Sequence, residues 1–321
     1  MATVSTTAPA ATETPLQARR SSLRWLVVAI PYAWLLILFL VPFFIVIKIS
    51  LSSPAQAQPP YIPVIDLAAG FAAVMEAIRQ FGFHNYAWLL SDPFYFEAYL
   101  SSLWIAASST FLVLLIGYPI AYGMARAPRS WQPTLLMLVI LPFWTSFLIR
   151  VYAWVGILKR QGLLNQFLMY VGVIDQPLTI LNTNWAVYIG IIYSYLPFMV
   201  LPLYAALEKL DHTLLEAAAD LGSPPARSFW QITFPLSLPG VIAGCFLVFI
   251  PATGEFVIPD LLGGSNTLMI GRTLWSEFFG NRNWPVASAV AVLLLLLLVV
   301  PIVLFQNRAE KEQGVAKAAA K

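Results

Sequence analysis

Long apolar stretches alternate along the chain with short polar segments. Six of these stretches reach the roughly 20 residues that a helix needs to cross a bilayer core of about 30 Å. The pattern predicts membrane-spanning helices at residues 25–47, 98–125, 134–158, 185–207, 238–259 and 284–305. Apolar residues run continuously through each stretch rather than at every second position, which favours helices over the strands of a barrel.

The composition agrees with a membrane protein. Hydrophobic residues make up 60% of the 321 residues and charged residues only 10%, whereas a soluble domain carries about 25% charged residues. These values exclude a soluble enzyme or a disordered protein, and the net charge of +3 is too small for a nucleic-acid binder. One cysteine, Cys245, and two histidines, His84 and His212, leave little for metal or cysteine chemistry. We therefore expect an all-α membrane protein of six transmembrane helices, with no catalytic or metal site.

Basic residues set the predicted orientation. With the N-terminus in the cytoplasm, the inner segments hold eleven Lys and Arg residues and the outer segments hold five, which is the excess typical of cytoplasmic loops. Both termini are then cytoplasmic. The predicted organisation is a disordered cytoplasmic tail at 1–23, a membrane domain at 24–307 that includes a cytoplasmic loop at 208–237, and a cytoplasmic tail at 308–321.

The cytoplasmic loop is predicted to form a helix, a sharp bend and a second helix. Asp211 or Thr213 can cap the first helix, and Thr213 with Glu216 fits a capping box. Gly222 can adopt the left-handed conformation that ends this helix, and Ser223 can cap the next one. Apolar side chains at helical spacing form a stripe at Leu214, Ala218 and Leu221. On the stripe alone, an amphipathic connector lying on the lipid headgroups is the simpler interpretation.

The spacing in this loop resembles the EAA motif of ABC importer permeases. That motif is Glu-Ala-Ala, three residues, Gly, nine residues and Ile-x-Leu-Pro. Here it is Glu216-Ala217-Ala218, Gly222 and Ile232-Thr233-Phe234-Pro235, with Phe in place of Leu. In the family the loop forms a coupling helix that sits in a cleft of the ATPase subunit. The resemblance implies ATPase-coupling contacts at Glu216, Ala217, Ala218, Asp220, Gly222 and Arg227.

Further segments resemble the permeases of polyamine importers. They are residues 141–154, 195–204 and 254–264, while residues 269–279 and 284–289 are most similar to the putrescine-system permease of Gram-negative bacteria. The resemblance implies a type I ABC importer permease fold in the bacterial inner membrane. It also implies a second homologous permease subunit, an ATPase subunit dimer that binds ATP and Mg, and a periplasmic polyamine-binding protein. This chain would then be no enzyme and would hold no cofactor. Putrescine is the favoured substrate, with spermidine or another small cation as the alternative.

Two charged residues, Arg150 and Glu255, lie within the predicted spans. A charge at the bilayer centre costs at least about 2.5–3.5 kcal/mol, so it usually faces a cavity or a partner. Both are predicted toward the outer leaflet, where Pro251 and Gly254 should break the fifth helix beside Glu255. A broken helix with a carboxylate is a candidate cation site. Neutralisation of Glu255 by Arg150 as a structural pair is an equal alternative.

Aromatic and acidic residues complete the candidate substrate path. The aromatic candidates, whose faces attract cations, are Tyr152, Trp154, Tyr193 and Tyr195, the last two in a fourth span that Pro197 is expected to break. Asp260 and Glu277, on the outer loop, could guide a cation or meet the binding protein. The alternative for each is simple packing, an interfacial aromatic belt or a solvated acid.

Two other functional classes compete with the importer permease. A secondary transporter driven by ion gradients would also contain broken helices and buried charges such as Arg150 and Glu255. An intramembrane enzyme ranks last, because no nucleophile-base set or metal-binding set is recognisable in the sequence.

Overall fold

The structure is a computed structural model that describes residues 16–65, 70–211 and 213–319, with side chains at 27–65, 70–211 and 213–303. Within these ranges the fold is α-helical apart from one short antiparallel ladder. Its two strands are β1 (Ser53–Pro54) and β2 (Tyr61–Ile62).

The α-helices follow one another with short connections. In chain order they are α1 (Leu16–Ser50), α2 (Phe71–Arg79), α3 (His84–Ser91), α4 (Pro93–Arg126), α5 (Gln132–Ile140), α6 (Phe147–Leu158), α7 (Leu163–Tyr170), α8 (Asn184–Leu207), α9 (Thr213–Asp220), α10 (Pro225–Ser228), α11 (Phe234–Thr253), α12 (Val257–Leu261), α13 (Ile270–Trp275) and α14 (Trp284–Ala319). A 3-10 turn at Leu141–Trp144 and π-helical turns at Phe229–Thr233 and Ser276–Gly280 connect some of them.

Five helices in the described ranges are long and apolar enough to cross a membrane. They are Val27–Ser50 of α1, α4, α8, the run Pro225–Thr253 that ends with α11, and Trp284–Val303 of α14. Gln132–Trp144 and Phe147–Tyr170 form a bent pair whose axes differ by 87°, and the number of spans is six when this pair is counted as one. The expectation of an all-α membrane protein is confirmed.

The third predicted span, 134–158, is corrected, because it is not one continuous helix. α5 ends, the chain passes through the 3-10 turn, and Thr145 is extended before α6 begins. Pro142 has no backbone N–H to donate, which favours the interruption. Arg150 donates from Nη1 to the carbonyl oxygens of Pro142 and of Thr145, the latter at 3.0 Å. The charge in this span therefore stabilises the break by bonding to carbonyl groups that lie at it.

The fifth predicted span, 238–259, is shifted toward the start of the chain. α11 begins at Phe234 and ends at Thr253, and α12 follows as a separate short helix. The interruption lies at Gly254, the C-cap of α11, beside Glu255 as the sequence indicates, while Pro251 remains within the helix. The break places the following residues outside regular helix, where their backbone groups need other partners.

The fourth span, α8, forms the centre of the fold and is not broken by Pro197, contrary to the prediction. It packs between α4 and α11, and a membrane helix tolerates proline where neighbouring helices surround it. The crossing with α11 is close because small residues lie there. A Cβ added to Gly244 would lie 2.7 Å from the sulfur of Met199, which is fully buried.

The segment after α11 is fixed against α4 and against the helix break. The backbone N–H of Ile270 donates to the hydroxyl of Ser102 in α4 at 2.7 Å. A Cβ added to Gly271 would lie only 2.5 Å from the carbonyl oxygen of Glu255. The absence of a side chain at Gly271 therefore allows α13 to pack directly against the backbone of the helix break.

Both ends of the chain were predicted as tails. α1 begins at Leu16, inside the predicted tail 1–23, and α14 continues to Ala319, through most of the predicted tail 308–321. Residues 1–15 of the first tail lie outside the described residues.

Candidate functional site

The predicted bend after α9 is present in the loop at 208–237. Gly222 has a φ of +76°, in the left-handed region. The N–H of Gly222 donates to the carbonyl of Ala219, and the N–H of Ser223 donates to the carbonyl of Ala218, both at 2.9 Å. These two bonds satisfy the last carbonyl groups of α9 and form a Schellman motif. Glycine therefore ends the helix here for the reason that the sequence indicates.

The caps of the two short helices differ in part from the prediction. The backbone N–H of Thr213 donates to the carboxylate of Asp211 at 3.0 Å, so Asp211 is the residue of the two that caps α9. The second helix, α10, has Pro224 at its N-cap, not Ser223. The hydroxyl of Ser223 instead accepts a hydrogen bond from the hydroxyl of Ser228 at 3.1 Å.

The predicted coupling residues form an accessible surface on this loop. Ala218 is buried, and the others are exposed: Glu216, Ala217, Asp220, Gly222 and Arg227. The apolar stripe is not buried as one face, because Leu214 is 46% exposed and Leu221 is 88% exposed. Both leucines are therefore accessible on the surface of this loop.

A cleft of about 1140 Å³ lies between this loop and the connection from α4 to α5. Glu216 and Gln132 both line it. The side-chain amide of Gln132 donates to the carbonyl oxygens of Ala125 (3.3 Å) and Ala127 (3.1 Å), and its oxygen accepts from the hydroxyl of Tyr204 in α8 at 3.3 Å. These bonds connect the α4–α5 connection to α8, close to the bend.

A second cavity, of about 590 Å³, lies where the two broken helices meet α8. We call it the Glu255 cavity. Its polar and aromatic lining includes Phe143, Phe147, Arg150, Ser194, Tyr195 and Glu255. The structure thus brings together the two charged residues that the sequence placed at similar depth.

Glu255 is buried, and both its carboxylate oxygens have hydrogen-bond donors. Oε1 accepts from the backbone N–H groups of Phe256 (3.1 Å), Val257 (3.0 Å) and Ile258 (3.4 Å). The hydroxyl of Tyr195 donates to Oε2. The carboxylate therefore caps the start of α12 and connects it to α8.

Arg150 also lines this cavity, but its guanidinium group interacts with carbonyl groups and aromatic rings. Besides its bonds to the carbonyl groups at the break, its guanidinium lies 5.1 Å from the ring centroid of Phe143 and 5.9 Å from that of Phe147. No ion pair joins the described side chains of Arg150 and Glu255. The pairing alternative is therefore not what this structure contains.

The other aromatic candidates are not among the residues that line the cavity. Trp154 and Tyr193 pack edge to face, with ring centroids 5.4 Å apart. Tyr152 is 59% exposed on α6. Of the four predicted aromatic residues, only Tyr195 is among those that line the cavity.

The two acidic candidates have partners within the chain. Asp260 forms a salt bridge with Arg272, with 3.2 Å between Oδ1 and Nε. Glu277 accepts hydrogen bonds from the hydroxyl of Tyr95 (3.2 Å) and from the amide of Asn281 (3.1 Å). Both acids therefore have partners within the chain, and the side chain of Asp260 remains 51% exposed.

Several cavity residues were not among the predicted ones, including Phe143, Ser194, Phe198 and Phe256. Phe143 follows Pro142 at the helix break, and a search for aromatic residues beside the proline would have found it. No sequence feature would have identified Ser194, because the hydroxyl of a serine in an apolar helix most often forms a hydrogen bond with a backbone carbonyl of the same helix.

The comparison with protein families is decisive for the class of protein. Residues 19–311 match the family described as the binding-protein-dependent transport system inner membrane component. The chain belongs to this family. Its members are transport components and not enzymes, which decides against an intramembrane enzyme.

Named relatives extend the comparison for this permease. It is 40% identical over 278 residues to the spermidine/putrescine transport system permease protein PotB of Haemophilus influenzae, covering 87% of this chain and 91% of that protein. It is 47% identical over 218 residues to the protein of the same name from Escherichia coli, covering 68% of this chain and 79% of that one.

Solved structures support the ABC importer permease fold. A chain of a bacterial ABC transporter that imports alginate superposes with a TM-score of 0.64 at 18% identity, over 92% of this permease and 97% of that chain. A second structure, of an alginate ABC transporter in complex with a periplasmic protein bound to an alginate pentasaccharide, gives 0.65 at 17% identity, over 92% and 96%. At this identity the likeness is one of fold.

Proposed function

We propose that this permease is the membrane subunit of an ATP-driven importer of polyamines. The observation that carries the proposal is the exposed, glycine-ended bend at Gly222, which occurs in a segment with the residue spacing of a coupling helix. The names of the relatives from Haemophilus influenzae and Escherichia coli support polyamines as the cargo.

Putrescine is the substrate that we propose first. Residues 269–279 and 284–289, with their similarity to putrescine-system permeases, favour it. Spermidine is the second candidate, since the relatives' names include both polyamines. Both are small cations with primary ammonium groups, so one path can serve either.

The proposed complex contains this chain, a second homologous permease subunit, two ATPase subunits and a periplasmic polyamine-binding protein. ATP and Mg belong to the ATPase subunits. Both termini and the 208–237 loop are cytoplasmic in this proposal, because the basic residues of the chain are concentrated on that side. The ATPase contact is then formed by the coupling residues Glu216, Ala217, Ala218, Asp220, Gly222 and Arg227.

In this proposal α8 transmits a displacement of the bend to the substrate path. The cleft beside the bend is connected to α8 by Gln132 and Tyr204, and the same helix carries Tyr195, which bonds to Glu255 in the other cavity. α8 is continuous between these two points, so closure of the ATPase dimer can change the cavity in one rigid displacement. Alternating access follows, with the loaded binding protein docked outside.

The proposed substrate path runs through the Glu255 cavity and its surroundings. It includes Arg150, Tyr152, Trp154, Tyr193, Tyr195 and Glu255, with Asp260 and Glu277 closer to the docked binding protein. The membrane potential favours inward passage, because a charge gains about 2.3 kcal/mol per 100 mV and a dication about twice as much. Closure of the ATPase dimer on binding ATP then sets the direction of transport.

Uptake by the purified complex tests the proposal. The chain is co-expressed with its partner subunits, purified by a tag on this chain, and reconstituted in proteoliposomes with the binding protein and labelled putrescine or spermidine. We expect ATP-dependent uptake of at least one of the two, and none when ATP is withheld while ion gradients are maintained. Uptake driven by the gradients alone, or ATP-dependent uptake of neither polyamine, would contradict the proposal.

A further inference from the structure

The carboxylate of Glu255 is buried beside the membrane spans without a cationic partner among the described side chains. It is 7% exposed, and its four hydrogen-bond donors are backbone N–H groups and a tyrosine hydroxyl, all neutral. Arg150, in the same cavity, directs its Nη1 to two carbonyl groups instead. A buried carboxylate without a counter-charge is unfavourable, so a cation is the ligand that the cavity fits best.

One acceptor site of the Glu255 carboxylate, on Oε2, receives no hydrogen bond from the described residues. A carboxylate offers about four acceptor sites. Oε1 takes three backbone bonds, whereas Oε2 takes only the bond from Tyr195. Oε2 of Glu255 can therefore accept a further N–H without releasing its present donors.

Ser194 supplies a second acceptor in the same cavity. It is 6% exposed, it lines the cavity, and its hydroxyl has no hydrogen-bond partner among the described residues. A buried serine in a helix ordinarily bonds to the carbonyl four residues earlier, and leaving a buried hydroxyl unpaired costs free energy. A hydroxyl kept available beside a buried carboxylate is suited to an N–H donor.

Two aromatic rings add to this environment. Phe198 and Phe256 line the cavity and are not the rings that lie near the guanidinium of Arg150. Phe256 is stacked on Trp275 with ring centroids 4.5 Å apart, which fixes its orientation. A cation in the cavity gains from such faces, most of all where water is excluded.

We propose that the Glu255 cavity binds one primary ammonium group of the transported cation, with Glu255 as counter-charge and acceptor and Ser194 as the second acceptor. A primary ammonium has three N–H donors and no acceptor, which matches a site that offers two unfilled acceptors and aromatic faces. This inference rests on the proposed function for the charge of the cargo, and it deepens that proposal by assigning the group that is recognised and the residue Ser194.

The test compares Glu255→Gln, Ser194→Ala and a control in the complete transporter. Glutamine keeps an oxygen for the N–H groups of α12 and removes the charge. Ser109→Ala is the matched control, because the Ser109 hydroxyl is also buried and unpartnered but lies on α4 away from the cavity lining. Uptake of labelled putrescine or spermidine and ATP hydrolysis stimulated by the binding protein are measured together in proteoliposomes.

The ratio of polyamine imported to ATP hydrolysed separates recognition from folding. Loss of a hydrogen bond to a charged group is expected to lower uptake per ATP about tenfold in Glu255→Gln and severalfold in Ser194→Ala, with Ser109→Ala unchanged. A wild-type ratio in both cavity variants, or an equal fall of uptake and ATP hydrolysis in Ser194→Ala, would overturn the ammonium site and leave the proposed function standing. If the unmodified transporter imports neither polyamine, the proposed function itself fails.

Discussion

Replacement of Gly222 by valine tests the bend directly. At a φ of +76° an L-residue is strained, and a β-branched one is a rare outlier. No atom lies within 4 Å of the position that a Cβ at Gly222 would take. The substitution therefore acts through backbone conformation alone and introduces no clash within the chain.

The magnitude follows from the two ways in which the loop can respond. If valine keeps the left-handed conformation, the cost is about 1–2 kcal/mol. If the bend opens instead, the bonds from Gly222 and Ser223 to the end of α9 are lost, at about 1 kcal/mol each. Either response destabilises the bent conformation by about 2 kcal/mol. This corresponds to roughly a 30-fold loss in affinity for a partner that requires the bend.

The chain contains a matched control for this prediction. Gly172 follows α7 with a φ of +75°, no atom within 4 Å of its Cβ position, and the same pair of hydrogen bonds, from Gly172 to Met169 and from Val173 to Leu168. Valine at Gly172 thus introduces the same strain on the predicted outer side.

The assay is ATP-dependent polyamine uptake, together with the amount of ATPase subunit that co-purifies. We expect Gly222→Val to reach the membrane normally but to lose most coupled uptake, Gly222→Asn to lose little because asparagine tolerates this conformation, and Gly172→Val to retain uptake. Equal losses in Gly222→Val and Gly172→Val, or normal uptake in Gly222→Val, would refute the reasoning.

Further predictions concern packing and the outer end. Gly240→Ala places a methyl group 2.8 Å from a carbonyl oxygen of α8 and should destabilise the protein by about 1–3 kcal/mol in detergent unfolding, whereas Gly123→Ala, with no atom within 4 Å, should be neutral or stabilising. Gly271→Ala should push α13 off the helix break and lower uptake while membrane levels persist, and normal uptake would contradict the close contact described. Asp260→Asn, which removes the exposed salt bridge to Arg272, should change stability by less than about 1 kcal/mol. A large loss of uptake at unchanged stability would instead favour a role in cation guidance.

The sequence predicts local features of this fold well, because they depend on neighbouring residues. The left-handed Gly222 follows from a helix that must end before two prolines, and the end of α11 follows from Gly254. Hydrophobic length alone predicts the α4, α8 and α14 spans.

Features that depend on distant contacts could not be predicted in this way. The interruption of the third span is stabilised by Arg150 turning to carbonyl groups five and eight residues earlier, whereas the sequence suggested an ionic partner. The bond between Tyr195 and Glu255 joins residues 60 positions apart, and the unpaired hydroxyl of Ser194 emerges only when the helices are packed. Pro197 failed as a signal of a break because packing around α8 outweighs its local effect.

Site-specific cross-linking tests the central claim most directly, namely that the bend seats on an ATPase subunit. The single cysteine, Cys245, is replaced by alanine, and a photoreactive thiol reagent is attached at Leu221→Cys or at Tyr170→Cys, two positions of similar exposure at 88% and 90%. The account predicts that the ATPase subunit is captured from Leu221→Cys, with an ATP-dependent yield, and not from Tyr170→Cys. Capture of lipid alone at Leu221→Cys, or equal capture of the ATPase subunit from both positions, would contradict it.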